Sequence, residues 1–346
     1  MYLVTGGAGF IGSNIVADLE RRGMGPIAVC DRFGKDDRWR NLSGRAVEAV
    51  IDPSDLMDWL ANNVILSGII HMGAISSTSE RDVDALLSAN ARLTSNLFVF
   101  AGLHAIPFIY ASSASVYGAS RRQTDADEHL DGMEPLSAYG WSKKVADQMV
   151  LARLRDFRRT KGGEPERWAG LRFFNVYGPG EAHKRGQQSY VTQCLLDPNG
   201  DKSVQRWKGS ERFVRDWVWV GDCARVVCEL LQSGKPFSGI HNIGTGRARS
   251  FDEVIGLCGV TAETFHMPVH MCGQYQEFTQ AETLKFKRLM PHFKFASLEE
   301  GVELYRASSS DLKARFTSST LMPAGKESTA SDVLLGEDGT NPAPNV

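Results

Sequence analysis

Tyr139 and Lys143 stand four residues apart in Ser137-Ala-Tyr-Gly-Trp-Ser-Lys-Lys144, and on a helix side chains at that spacing share a face. A phenol ionises near pH ~10, so a tyrosine acting as a base near pH ~7 must be offset by about three units, roughly 4 kcal/mol, through nearby positive charge. Lys143 is placed to supply part of it. An exposed amphipathic helix shows the same spacing, so the meaning of the pair depends on its surroundings. Upstream, Ala111-Ser-Ser-Ala-Ser-Val-Tyr-Gly118 sets a cluster of hydroxyls, Ser113 among them, at the end of the apolar run Pro107–Tyr110. A further amine, Lys184, lies beside His183 and Arg185 in Gly180-Glu-Ala-His-Lys-Arg-Gly186.

The elements that must position these groups are readable from the N-terminus. Tyr2 to Thr5 reads as a buried strand, followed by Gly6-Gly-Ala-Gly9-Phe10-Ile11-Gly12 and a helix with apolar positions Ile11, Ile15, Val16 and Leu19. Strand, glycine turn and helix in this order form a dinucleotide-binding entrance, with the helix N-terminus aimed at the pyrophosphate. A second strand, Pro26 to Cys30, ends at Asp31, near the offset expected of a ribose-binding acid. Arg32, Lys35 and Arg38 follow it. An acid alone favours NAD, whereas clustered cations favour the extra phosphate of NADP, and NADP is the expectation here. Val47–Ile51 and Gly68–His71 read as the next strands, with a short helix from about Ser54 to Leu60 between them. The small-residue turn Met72-Gly73-Ala74-Ile75-Ser76 then lets backbone approach a ligand. A helix from about Val83 to Leu103 carries Asn90, a candidate polar contact to the cofactor. His71 reads as a satisfied strand-end histidine, and Arg121 to Pro135 as a charged surface loop.

The chain has 346 residues and a formal net charge of -2. Its length suffices for one large or two small domains. No basic excess points to nucleic acid, and no long apolar run points to a membrane. The six cysteines are scattered, without Cys-x-x-Cys pairs or a secreted disulfide spacing, as expected of reduced thiols in a cytoplasmic protein. Tyr2-Leu-Val-Thr5 runs straight into the glycine loop and leaves no room for a targeting peptide. No metal-binding spacing stands out.

Taken in order, Gly6-x-x-Gly9-x-x-Gly12, Asp31, Ser-Ser-Ala-Ser-Val-Tyr-Gly and Tyr139-x-x-x-Lys143 resemble the extended short-chain dehydrogenase/reductase superfamily, whose members act on nucleotide sugars. The resemblance covers about the first 310 residues. It implies an α/β fold: a Rossmann domain with a doubly wound parallel sheet, and a smaller C-terminal α/β substrate domain. The first would take in residues 1–174 with return segments at about 213–246, and the second residues 175–212 and 247–307. It also implies Tyr139 as acid/base, Lys143 holding the nicotinamide ribose and lowering the tyrosine's pKa, and Ser113 bonding the reacting oxygen.

The second half is similar to one subfamily, the ADP-glycero-manno-heptose 6-epimerases of lipopolysaccharide core assembly. The residues that carry this are the His183-Lys184 pair and Tyr275-Gln-Glu-Phe-Thr-Gln-Ala281. The similarity implies a cofactor contact at Val176 and a substrate contact at Asn175. Trp207, Lys208, Gly209 and Ser210 would line the adenosine end, and Tyr275 would reach the substrate from above. Arg215, whose guanidinium can grip phosphate oxygens with two bonds, is the candidate for the diphosphate. Trp217 and Trp219, alternating with valine, read as core. The partner is a small nucleotide-sugar, and the family suggests a homo-oligomer, a pentamer.

Inverting an unactivated carbinol carbon requires a planar carbonyl formed by hydride removal, which an oxidised nicotinamide makes possible. At an exocyclic C6 the aldehyde rotates about one bond, so a second acid/base is expected on the other side. By resemblance that group is Lys184, which then needs desolvation or crowding by cations such as His183 and Arg185; diphosphate binding is its other reading. Three positions depart from the family pattern. Gly186 and Gln193 stand where a serine and a histidine are usual on the substrate side, and Gln274 where an arginine is usual. A 4-epimerase of a UDP-hexose and a non-catalytic NADP sensor are the competing functions. After about Arg306 a Ser/Thr/Gly/Pro-rich run reads as a mobile tail over 308–346.

Overall fold

The computed structural model describes residues 1–62, 65–125, 130–160, 165–184, 186–196, 203–267, 273 and 275–317, with backbone alone at 131 and 309–317. The first half alternates strands and helices: β1 (Tyr2–Thr5), α1 (Phe10–Arg21), β2 (Ile27–Cys30), β3 (Ala49–Ile51), α2 (Leu56–Asn62), β4 (Gly68–His71), α3 (Val83–Leu86), α4 (Leu93–Leu103), β5 (Phe108–Ser113), α5 (Ala138–Thr160) and β6 (Trp168–Phe173). The second half adds β7 (Asn175–Tyr177), α6 (Tyr190–Leu196), β8 (Ser203–Trp207), β9 (Val214–Trp219), α7 (Val220–Gln232), β10 (Ile240–Ile243), β11 (Ala248–Ser250), α8 (Phe251–Cys258), β12 (Thr261–Phe265), α9 (Leu284–Leu289) and α10 (Leu298–Thr317).

Seven strands form one sheet in the order β10-β6-β5-β4-β1-β2-β3, and every pairing in it is parallel. The strand order reverses between β1 and β4, and the crevice outside the strand ends at such a point is where ligands bind in open α/β sheets. Every residue of β2, β4 and β6 is buried. Helices therefore cover both faces, as continuous apolar runs in parallel strands require. One core, with Val4, Ile15, Val29 and Val227, fills one side of the sheet. Another, with Leu3, Leu97, Tyr110 and Trp168, fills the other. Smaller sheets, β11-β9-β7 and β12-β8, surround a third core containing Tyr177, Trp217, Phe251 and Tyr305.

Backbone contacts divide the chain into Met1–Ser308 and Ser309–Val346. Three expectations from the sequence are corrected. Ser112 and Ser113 are the last residues of β5 and not part of the turn after it, because their backbones pair with Arg172 and Phe173 of β6. The stretch read as a surface loop is pinned down at its start: Gln123 and Asp125 are buried, since Gln123 donates to the Phe278 carbonyl and Asp125 accepts from the Asn242 N–H. The tail begins later than position 308, because α10 runs on to Thr317. After the serines, Asp311-Leu-Lys-Ala-Arg-Phe316 are adequate to good helix formers that propagate a helix already nucleated. Residues 318–346 lie outside the described residues. Among the described residues no helix is long and apolar enough to cross a membrane.

Candidate active site

The carboxyl ends of β1, β2 and β4 open on a cavity of about 1080 Å³. Gly6, Gly9, Phe10, Ile11 and Gly12 form one wall, Met72 to Ser76 a second, and Asp31, Arg32 and Arg38 the third. The glycine loop is wound too tightly for side chains. A Cβ on Gly12 would lie 2.1 Å from the Gly6 carbonyl oxygen, and one on Gly6, at φ +66°, would lie 2.6 Å from the Gly73 nitrogen. Gly12→Ala is therefore expected to abolish retention of dinucleotide through purification, measured by the absorbance of the released cofactor, and full retention would refute this account of the loop.

Asp31 accepts from the Ala8 N–H at 2.9 Å, and its carboxylate lies 3.5 Å from Arg38. Burial pushes the Asp31 carboxyl up, while the Ala8 N–H and then Arg38 hold it down. Arg38 also grips Asp36, Nε at 2.9 Å and Nη2 at 2.8 Å, which holds Asp36 down to about 2. Arg32 is exposed at the rim. A glycine cradle beneath a helix N-terminus, with an acid and two guanidiniums across the cavity, fits a dinucleotide.

Ser113 ends β5, and its hydroxyl accepts from the Ser115 N–H at 3.1 Å. Tyr139 lies in the first turn of α5, half-buried. Burial pushes its phenol above the ordinary value and a hydrogen bond with Ser113 pulls it back. This differs from the lowering expected from Lys143. The Lys143 side chain is buried and its ammonium donates to the Ala111 carbonyl at 2.9 Å. Burial moves Lys143 down to about 8, against the opposing pull of Asp147.

Asn90 needs a correction. It is fully buried and absent from the cavity wall, because its amide is used within the protein. It accepts from Ile75 N–H at 2.8 Å and donates to the Ile75 carbonyl and the Ser142 hydroxyl, each at 3.0 Å. Ser142 in turn donates to the Tyr139 carbonyl at 2.7 Å. Asn90 thus braces the Met72–Ser76 turn against the start of α5. It does so from a π turn, Leu87–Arg92, between α3 and α4. His71 is satisfied as expected, 2.6 Å from the Thr5 hydroxyl and 3.0 Å from that of Thr94.

Lys184 lines the dinucleotide cavity with His183, its ammonium 4.4 Å from the centre of the Phe10 ring. Lys184 is close enough to His183, one of the groups expected to crowd it, to help push that imidazole down. Its partner is the buried Glu181 carboxylate at 2.8 Å, which also accepts from the hydroxyls of Ser189 and Thr192, each at 2.6 Å. Arg185 lies outside the described residues. Val176 is half-buried in β7 and is not part of the cavity wall.

The remaining candidates gather around β8, β9 and the segment at 275–281. Arg215 is buried, with its guanidinium 5.0 Å from the Tyr275 ring and 5.6 Å from Phe251. Two of its nitrogens donate to the carbonyls of Val214 and Gln276. Gln276 reaches back to the carbonyls of Ala114 and Gly118 at 3.2 and 2.8 Å, which ties this segment to the serine loop. Asn175 accepts from Thr279 at 2.7 Å. Trp207 ends β8, Lys208 is exposed, and Gly209 takes φ +89° before the buried Ser210, whose hydroxyl finds no hydrogen-bond partner among the described residues. Among the described residues nothing would crowd a side chain at Gly186, and Gln193 is turned to the Gln188 carbonyl at 2.8 Å. Gln274 lies outside the described residues. Among the described residues no group of His, Cys, Asp or Glu is arranged to hold a metal ion. Glu181 and Asp147 were missed from sequence, although each lies one helical turn from a lysine already singled out.

The fold and this cavity define a Rossmann-type α/β protein with a dinucleotide-shaped crevice at the carboxyl ends of its parallel strands. The chain belongs to the NAD dependent epimerase/dehydratase family, whose model matches residues 2–244. It is 36% identical over 330 residues to the ADP-L-glycero-D-manno-heptose-6-epimerase of Fusobacterium nucleatum, covering 88% of this chain and 96% of that protein. The crystal structure of the Helicobacter pylori ADP-L-glycero-D-manno-heptose-6-epimerase matches at a TM-score of 0.74 and 27% identity, over 89% of this chain and 95% of that one. The UDP-glucose 4-epimerase of Thermotoga maritima matches at 0.71 and 24% identity, over 90% and 99%, a likeness of fold alone.

Proposed function

We propose that the protein interconverts ADP-D-glycero-D-manno-heptose and ADP-L-glycero-D-manno-heptose by inversion at C6 of the heptose, with NADP held throughout. The observation that carries this reading is Lys184: a second amine, beyond the Ser113–Tyr139–Lys143 centre, stands on the wall of the dinucleotide cavity. Identity to the Fusobacterium nucleatum protein over nearly its whole length supports the choice of substrate.

Bound NADP would rest its pyrophosphate on the glycine loop and its adenosine ribose near Asp31, Arg32 and Arg38, and its nicotinamide supplies a hydride acceptor and donor. Ser113 positions the reacting oxygen by a hydrogen bond. Tyr139 takes the hydroxyl proton of one epimer and returns it on reversal, with the Lys143 ammonium favouring its phenolate. Lys184 does the same for the other epimer, after its ammonium gives up a proton and loosens from Glu181. Arg215, between two rings, meets the diphosphate, with Trp207, Lys208, Gly209, Ser210 and Tyr275 along the nucleotide and sugar.

The Glu181 contact favours one other reading, a UDP-hexose 4-epimerase, in which Lys184 needs no chemical role. Incubating the purified protein with ADP-heptose and with UDP-hexoses separates the two. Inversion at C6 by NMR supports the proposal, and inversion at C4 alone overturns it. For the cofactor, titration of the stripped protein is expected to show NADP binding more tightly than NAD. Replacing Arg32 and Arg38 together with glutamine should weaken NADP by ~10-fold or more, a loss of about 1.4 kcal/mol or more, and NAD far less. Equal weakening of both would mean that the cations serve the loop and not a 2′-phosphate. A homo-oligomer is proposed from the family and is checked by light scattering.

A further inference from the structure

Behind Lys143 lies a buried ion pair that the chemistry above leaves unused. Asp147 is one turn further along α5 and fully buried. One of its oxygens accepts from the Tyr110 hydroxyl at 2.9 Å, the other from the Ser112 hydroxyl and the Arg172 Nε, each at 3.0 Å. A second guanidinium nitrogen of Arg172 lies 3.0 Å from the same oxygen, and the third donates to the Tyr117 hydroxyl at 3.0 Å. Arg172, on β6, is 2% exposed. A pair this deep adds little net stability, because desolvation offsets its attraction, and apolar residues of similar volume often do as well. Its position is informative: Tyr110 and Ser112 flank Ala111, whose carbonyl receives the Lys143 ammonium.

We infer that Asp147, braced by Arg172, is a positioning residue of the reaction centre, whose negative charge keeps Lys143 an ammonium aimed at the end of β5. The inference rests on the reading of Tyr139 and Lys143 as that centre. Each element packed here contributes a titratable group, and most are neutral. His71 on β4 is pushed down to about 3 by burial and by Lys143. Tyr110 on β5 and Tyr117 after it are pushed up by burial, and so is Tyr139 on α5 itself. Asp125 acts on Arg172 and Tyr117 from the far side. Without Asp147, Arg172 and Lys143 would be two cations in a dry space, and Lys143 would give up its proton first, because a guanidinium does not. Asp147 and Lys143 are i,i+4 neighbours on one face of α5, and the Asp147 charge pulls Lys143 toward its ammonium form against burial.

The test is a pH titration of the Cε–Nζ signals of protein labelled with 13C,15N-lysine, the Lys143 signal being assigned by its loss in Lys143→Met. The Lys143 midpoint is expected near about 8 in the parent, at least about one unit lower in Asp147→Asn, and restored in Asp147→Glu. The alkaline fall of kcat should move to lower pH by the same interval in Asp147→Asn, a shift that loss of packing alone does not produce. An unmoved midpoint overturns the inference. Should Asp147→Asn not fold, Arg172→Gln decides: the midpoint must rise, and a midpoint that falls or stays overturns it. Tyr139→Phe is assayed in parallel. Near-normal turnover there overturns the reaction-centre reading, and with it the purpose given to Asp147. Lost turnover with an unmoved Lys143 midpoint leaves that reading intact and removes this inference alone.

Discussion

Tyr139→Phe is expected to lower kcat for C6 epimerisation by about 10²–10⁴-fold, the span of general acid–base catalysis, with the fold unchanged by circular dichroism. Only one oxygen is removed. The ring stays in the first turn of α5, and the contacts that brace this turn run through the Tyr139 backbone carbonyl, Ser142 and Asn90. Ser113 keeps its bond to the Ser115 N–H, so the serine loop should hold its shape. KM should change little, because the lost group acts on the proton in flight and not on the bulk of the sugar nucleotide. The phenol is raised in the protein alone, so its use as a base depends on the ammonium of Lys143 and on the positive nicotinamide ring. Turnover within a few-fold of the parent would overturn the whole assignment.

Lys184→Met separates the two-base reading from the binding reading. If Lys184 is the second acid/base, kcat should fall by about 10²-fold or more in both directions, since either epimer must pass both groups. If it holds only phosphate, KM rises and kcat stays. The variant also leaves Glu181 without its cation. The carboxylate retains the Ser189 and Thr192 hydroxyls, and the lysine is a quarter exposed, so the stability loss should stay within about 1–3 kcal/mol. A thermal melt run beside the assay keeps that loss apart from the kinetic one. An unchanged kcat with a raised KM would overturn the two-base reading.

The strand, glycine loop and first helix were legible because the residues there serve local geometric needs: at Gly6 and Gly12 the turn leaves no space for a side chain. The helix bearing Tyr139 and Lys143 was legible for the same reason, since a four-residue spacing survives any packing. Asn90 was not. Its π turn adds a residue to the helical repeat and rotates everything beyond it by about 100°, so the face that a residue presents no longer follows from counting. Gln123 and Asp125 were misjudged because a charged stretch reads as solvated, whereas their partners, Phe278 and Asn242, lie more than a hundred positions away. Lys184 was found by resemblance, but its surroundings were not. Glu181 is only three residues earlier, yet its importance comes from Ser189 and Thr192, which converge on it only in the folded chain.

The Gln276 amide has a consequence for selectivity. By bonding the carbonyls of Ala114 and Gly118 beside a tyrosine that stacks on Arg215, it makes one strut of the segment that carries Tyr275 and the loop that presents Ser113. If Arg215 and Tyr275 meet the sugar nucleotide as proposed, a ligand that cannot seat against them leaves the serine out of register. Discrimination would then show itself in the rate of the chemical step as much as in affinity, so that a poor substrate is held but not turned over.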